Sequence, residues 1–428
     1  MMRTTTNASH GLYRKTTLKN GLRVITEKVP SVRSVSMGVW INVGSRYEDD
    51  SEGGMSHLIE HMLFKGTKTR SAKDIADSLE SIGGNLNAFT SREQTCYTAR
   101  FPAAYIDRAM DVLADMTSRS TLTPTNLKRE KQVILEEIKE TEENPSDHIY
   151  DLFNIAFWGK HQLGRPILGT EKSVSGMPRN SIFNYLSRHY RAGSIVIAAA
   201  GALSHDRVVK LARDKFEFPE GLSEGMLPAA RMDTQKLLLI PNDNNQVHAV
   251  IGYPGLAWTD KRRTAAMVLS TLLGGGMSSI LFQQIREERG LAYTIYTYHD
   301  SYCDAGVFGC YFATDKQRLP EALSVVQKQL LKLCNRKVSE DILRRIKEQI
   351  KGQVMLALES TIAKMNRMAR FELMQGEYIS LTRTIRDIDR VTTDDLQMIA
   401  RALFNPEGRT VTILGPANRK TVEAVLEE

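Results

Sequence analysis

The sequence predicts an α+β protein: two homologous α/β domains, each a mostly antiparallel sheet with helices packed on one face. Three observations lead there. At roughly 150 residues per domain, 428 residues make two or three domains. Short stretches of alternating apolar residues, the period of strands, are interleaved with stretches of helical period. The order of these stretches in the first half of the chain recurs in the second, as an internal duplication would produce.

In the first copy Val35, Met37, Val39, Ile41 and Val43 alternate with other residues, as in a half-buried strand. A helix-like segment follows around His57. Another runs from Ala72 to Ile82, with Ile75, Leu79 and Ile82 on one face and Gly83-Gly84 as its stop. Leu86 to Phe101 is strand-like, Ile106, Met110, Leu113 and Met116 mark the inner side of the next helix, and a charged helix begins after Pro124. In the second copy Val247 to Tyr253 is strand-like, and Thr264 to Leu273 and Met277 to Arg289 are helix-like. Tyr293 to Tyr298 and Val307 to Ala313 are strand-like, a helix opens near Pro320 and a charged one follows Ser339. Thr123 to Glu140 resembles Val338 to Met355 in charge and apolar rhythm. Residues 216–235 have the composition of a linker, with Pro219, Glu220, Gly221, Gly225 and Pro228. The expected domains are therefore 1–215 and 236–428.

Composition narrows the function. The longest apolar run, Ile195 to Leu203, is about half of the ~20 residues that a spanning helix needs, so no membrane is expected. The net charge of +7 is modest, and basic residues alternate with acids, as in Arg286-Glu287-Glu288-Arg289. A nucleic-acid binder concentrates its cations on one face, so no nucleic acid is expected. Cys96, Cys303, Cys310 and Cys334 make no CxxC pair and read as scattered thiols in a reducing compartment. The first twenty residues are basic (Arg3, Arg14, Lys15, Lys19) but lack an apolar h-region and a cleavage pattern. A cytoplasmic location is the expectation.

The chemistry centres on His57-Leu58-Ile59-Glu60-His61. On a helix, four residues advance the azimuth by about 400°, which leaves His57 and His61 about 40° apart and one turn removed. Two imidazoles so placed bind one metal ion. Glu60 lies about 60° to the other side of His57, within reach of a water on that ion. This is the H-x-x-E-H inversion of the commoner zinc signature. Only nine histidines occur in the chain, and His148, His189 and His248 lack ligand spacing. A catalytic zinc keeps three protein ligands and one open position. The charged helix offers Glu130, Glu136, Glu137, Glu140, Glu142 and Glu143 for the third; spacing alone leaves Glu136 and Glu137 open, while Glu130, Ile134 and Glu137 share a face.

Beyond the pentapeptide, the chain carries Gly53-Gly54-Met55-Ser56-His57 through Phe64-Lys65-Gly66-Thr67, Asn87-Ala88-Phe89-Thr90-Ser91-Arg92-Glu93, and Val133-Ile134-Leu135-Glu136-Glu137. With these it resembles, over nearly its whole length, the pitrilysin-type zinc metallopeptidases (inverzincins), in particular the mitochondrial processing peptidase β-subunits and their bacterial relatives. The resemblance implies one Zn2+ per chain on His57, His61 and Glu137, with Glu60 as general base and Glu130 orienting a ligand histidine. It implies that the second copy, which has no histidine pair, presents Arg286 and Tyr293: Tyr293 to the developing oxyanion, Arg286 to the substrate backbone. It also implies that an extended peptide adds to the strand Asn87, Ala88, Phe89, Thr90, and that the chain forms half of a clamshell.

Family members that work as single chains hold four such units and this chain holds two, so a homodimer is expected, with a heterodimer as the other arrangement. The activity implied is endopeptidase hydrolysis of unstructured peptides in an enclosed chamber. The alternatives are a non-catalytic core subunit, which should have lost the ligands retained here, and a catalytic subunit requiring a distinct partner chain.

Overall fold

The computed structural model describes residues 4–5, 12–224, 227, 229–230, 232, 234–243 and 245–427. Residues 225, 226, 228, 231 and 233 of the expected linker, and residues 1–3 and 6–11 of the basic N-terminus, lie outside the described residues. The chain forms two compact units: Met1–Lys139, Arg165–Pro228 and Leu356–Ser380 in one, Glu140–Gly164, Ala229–Met355 and Leu381–Glu428 in the other.

The first unit holds strands β1 (Thr4–Thr5), β2 (Tyr13–Thr17), β3 (Arg23–Lys28), β4 (Ser34–Ile41), β5 (Asn85–Thr90), β6 (Thr95–Pro102) and β7 (Ile195–Gly201). Their order is β1-β2-β3-β7-β4-β6-β5, antiparallel except for β3 with β7. The second holds β8 (Leu237–Ile240), β9 (Val247–Pro254), β10 (Ala292–Ser301), β11 (Gly306–Thr314) and β12 (Thr410–Leu414). Read as β8-β12-β9-β11-β10, this sheet repeats β3-β7-β4-β6-β5, with the parallel pair β8–β12 in the same place. The duplicated order of elements in the sequence is thus a duplicated topology.

Each sheet has two buried faces. In the first unit Val24, Val35, Met37, Val39 and Ile41 pack with Leu58, Ile59 and Met62 of helix Met55–Leu63 and with Ala109, Met110 and Leu113 of helix Ile106–Arg119. The alternate residues Ile25, Trp40, Val196, Ala198 and Ala200 pack on Met365, Met368 and Ala369 of helix Thr361–Gln375. Its buried Glu372 is paired with Lys15 (2.7 Å) and Arg23 (3.0 Å). This corrects the reading of Val35 to Val43 as a half-buried strand: β4 is buried on both sides because a helix from late in the chain covers the face that Ser36, Gly38 and Trp40 share.

The second unit mirrors the arrangement with a helix from early in the chain. Ile149, Phe153 and Phe157 of helix Pro145–Trp158 pack on Val250, Val307, Tyr311 and Leu414. Glycine is required beneath it, since a Cβ at Gly252 would lie 2.1 Å from the Phe153 ring. Among the described residues no helix is long and apolar enough to cross a membrane.

Candidate metal centre

Helix Met55–Leu63 owes its orientation to a division of faces. Leu58, Ile59 and Met62 are fully buried, each burial contributing roughly 1.5–3 kcal/mol, while His57, Glu60 and His61 lie on the other side. Its N-terminus is fixed from below. The N–H groups of Gly54 and Ser56 both donate to the buried Glu48 carboxylate, at 2.8 Å. Gly54 has φ 87°, and a Cβ there would lie 2.5 Å from the Leu168 carbonyl oxygen, so no other residue fits without strain.

Helix Pro124–Glu143 presents a stripe of Leu127, Glu130, Ile134 and Ile138 to the interior. A carboxylate in such a stripe must be satisfied, and Glu130 is: its Oε2 lies 3.3 Å from His61 Nδ1 and 3.0 Å from Lys65 Nζ. Glu137, seven residues on, follows the same face outward. Its Oε2 stands 3.7 Å from His57 Nε2 and 3.5 Å from His61 Nε2. Glu136, by contrast, is exposed and pairs with Lys139 at 2.8 Å; Glu140, Glu142 and Glu143 are exposed as well. Of the two glutamates that spacing left open, Glu137 is the one that stands near both imidazoles.

One potential ligand atom from each of His57, His61 and Glu137 lies within 4.8 Å of the other two. Tetrahedral bonds of about 2.0–2.2 Å put neighbouring ligand atoms roughly 3.3–3.6 Å apart, so the donor set and its spacing fit zinc. Burial and the neighbouring His61 hold the His57 imidazole at a pKa of about 4, leaving it neutral as a ligand must be. His57 Nδ1 is buried and has no hydrogen-bond partner among the described residues. Glu60 is raised above the ordinary carboxylate value by burial, against the pull of a 2.6 Å hydrogen bond that Thr90 Oγ1 donates to its Oε2. That shift moves a carboxylate toward the range useful to a general base.

Thr90 ends β5, the edge strand. Leu86, Ala88 and Thr90 of β5 are half-buried while Asn85, Asn87 and Phe89 are exposed, and β5 pairs with β6 on one side only. Asn87 Oδ1 accepts from the Ala88 N–H at 2.8 Å. In the second unit the predicted helix Met277 to Arg289 contains a π-helical turn, Phe282–Glu287. Its Arg286 guanidinium lies 4.1 Å from the Tyr293 ring centroid and 4.8 Å from that of Phe282, and donates to the Tyr293 carbonyl at 3.1 Å. Tyr293 is 73% exposed. Sequence reasoning missed Glu48, Lys65 and the bond from Thr90 to Glu60. Lys65 could have been found as the first cation after His61, two residues past the end of the histidine helix.

Comparison with known proteins finds relatives among the zinc proteases. Residues 23–171 match the family profile described as insulinase (peptidase family M16), and residues 176–350 that of the peptidase M16 inactive domain. An uncharacterized zinc protease of Streptomyces coelicolor is 39% identical over 418 residues, 96% of this chain and 91% of its own. One of Bacillus subtilis is 39% identical over 407 residues, 95% and 99%. A protease crystal structure from Helicobacter pylori superposes with a TM-score of 0.87 at 24% identity, covering 94% of this chain and 99% of that one. At that identity the likeness speaks to the fold.

Proposed function

The chain belongs to peptidase family M16, the insulinase- and pitrilysin-like zinc metallopeptidases, and on that premise we propose that it is a zinc-dependent endopeptidase cutting unstructured peptides. The observation that carries the proposal is the convergence of His57 Nε2, His61 Nε2 and Glu137 Oε2 beside Glu60. These three side chains would hold one zinc per chain. When bound, zinc supplies a Lewis acid that lowers the pKa of a water toward ~7 and polarises a carbonyl.

The chain's own groups do the rest. Glu60 takes the proton of the attacking water on a carboxylate oxygen and returns it to the leaving amine. Thr90 holds the other oxygen of that carboxylate in place. Glu130 accepts from His61 Nδ1 and so leaves Nε2 with its lone pair outward. An extended peptide adds to the open edge of β5 through main-chain hydrogen bonds, with Ala88 too small to obstruct it. Tyr293 stabilises the oxyanion and Arg286 anchors the substrate backbone. A homodimer enclosing the substrate is part of the same proposal, and size-exclusion of the active species tests it.

The experiment is Glu60→Gln. The expected outcome is about one zinc per chain by elemental analysis, with hydrolysis of an unstructured peptide reduced by about 10²–10⁴. Full activity in this variant overturns the assigned base; no zinc in the unsubstituted protein overturns the metal centre.

A further inference from the structure

We propose that Lys65 is a positioning residue of the zinc site, acting on His61 through Glu130; the inference rests on the metal centre proposed above. The Glu130 side chain is 2% exposed and meets His61 Nδ1 at 3.3 Å and Lys65 Nζ at 3.0 Å, both on Oε2. A carboxylate in an apolar stripe with a neutral imidazole as its sole companion is an uncompensated buried charge. The ammonium of Lys65 supplies the compensation. It meets the same carboxylate oxygen that lies on His61 Nδ1, and by fixing that oxygen it fixes the ring with Nε2 as the free donor.

The same residue also sets the spacing of the two helices. Asn126 Nδ2 donates to the Lys65 carbonyl at 2.8 Å, and Asn126 and Glu130 are one turn apart on helix Pro124–Glu143. The segment just after the histidine helix is therefore bound to the glutamate helix twice, once by main chain and once by side chain. The Lys65 side chain is 35% exposed, so its ammonium reaches Glu130 from the rim and truncating it opens no core cavity.

The test is the affinity of the full-length protein for zinc ion alone, by competition with a chromophoric chelator. Lys65→Met should weaken binding about 10–100-fold, the range found when an outer partner of a ligand histidine is lost. Lys65→Arg, which restores a cation, should recover most of it. In a Glu130→Gln background Lys65→Met should add less than about 3-fold, because the route of its action is already cut. Unchanged affinity in Lys65→Met, or the same loss in both backgrounds, overturns the inference. Should Lys65→Met not fold, Lys65→Gln carries the same three comparisons. A protein that binds no zinc even before substitution overturns the metal centre instead, so the two failures are distinguishable.

Discussion

The two copies share a strand order, a parallel pair in the same place and one borrowed helix each, yet they differ in what they bury. In the first, the stripe of the charged helix reads Leu127, Glu130, Ile134, Ile138; in the second, helix Glu340–Ala357 buries Leu343, Ile346 and Ile350. By spacing, Ile346 stands where Glu130 stands, and Gln353 where Glu137 stands. The helix that follows the central strand differs likewise. Met55–Leu63 carries His57, Glu60 and His61, whereas Arg263–Gly274 has no His, Cys, Asp or Glu. A buried carboxylate is thus found where an imidazole and an ammonium meet it, and an isoleucine where the stripe joins an apolar cluster. The scaffold is common, and the chemistry is a handful of side chains placed on it.

The largest effect expected concerns the borrowed helices. Residues 1–228 expressed alone lack Thr361–Gln375, so Ile25, Trp40, Val196, Ala198 and Ala200 would face water. That fragment should be insoluble or dye-binding, and the separate peptide 361–375 should restore a cooperative thermal transition. A folded monomeric fragment would show that the exchange is ornamental to the first sheet. Next in size is Tyr293→Phe, which should lower turnover by about 10² while zinc content stays at the original level. Loss of zinc in that variant would mean the phenol has a structural part.

A reciprocal exchange sharpens the comparison at the stripe itself. Glu130→Ile should weaken zinc binding about 10–100-fold without loss of thermal stability, since an apolar side chain replaces a buried ion. Ile346→Glu should lower stability by about 3 kcal/mol or more, because the carboxylate would enter the apolar cluster that Ile346 shares with Leu343 and Ile350. Equal stability of both variants, read by denaturant titration, breaks the claim that the first stripe is built around its carboxylate.

Much of this was legible beforehand, for identifiable reasons. His57 and His61 announce themselves because one turn of helix brings them together whatever surrounds the helix. The duplication shows in the order of strand and helix periods. Residue spacing left Glu136 and Glu137 both open as a third ligand, since adjacent glutamates differ by 100° of azimuth that only packing resolves; the exposure of Glu136 and the approach of Glu137 to both imidazoles are tertiary facts. The double burial of β4 was misread because period-two patterning reports one apolar face and is silent about a face of Ser36, Gly38 and Trp40. Nor does periodicity name the sheet on which a helix packs, so the exchange of Pro145–Trp158 and Thr361–Gln375 had no local signal.

The smallest expected effect lies under the histidine helix. Glu48 is fully buried, and burial pushes its carboxyl up to about 7, although the amides of Gly54 and Ser56 pull the other way. The folded state therefore holds a proton that the unfolded chain, at 4.5, has released. Its contribution to stability is fully present below pH 4.5 and is lost as pH rises through about 7. Paired carboxylates such as Asp115, held near 2 by Thr67 and Arg70 against the cost of burial, act in the opposite sense at lower pH, so the raw curve mixes both. The difference between the original protein and Glu48→Gln isolates the one group. Between pH 4.5 and 7 the glutamine variant should gain on the original by no more than about 3 kcal/mol. The counterpart helix Arg263–Gly274 starts at Arg262 with no side-chain cap; beside it Asp260 accepts from the Arg262 N–H at 2.8 Å and is held below the ordinary carboxylate value by the Arg262 side chain, so Asp260→Asn should give a difference of the opposite sign. A flat difference for Glu48→Gln would place its proton equally in both states, and the buried cap would then distinguish the two copies only by geometry.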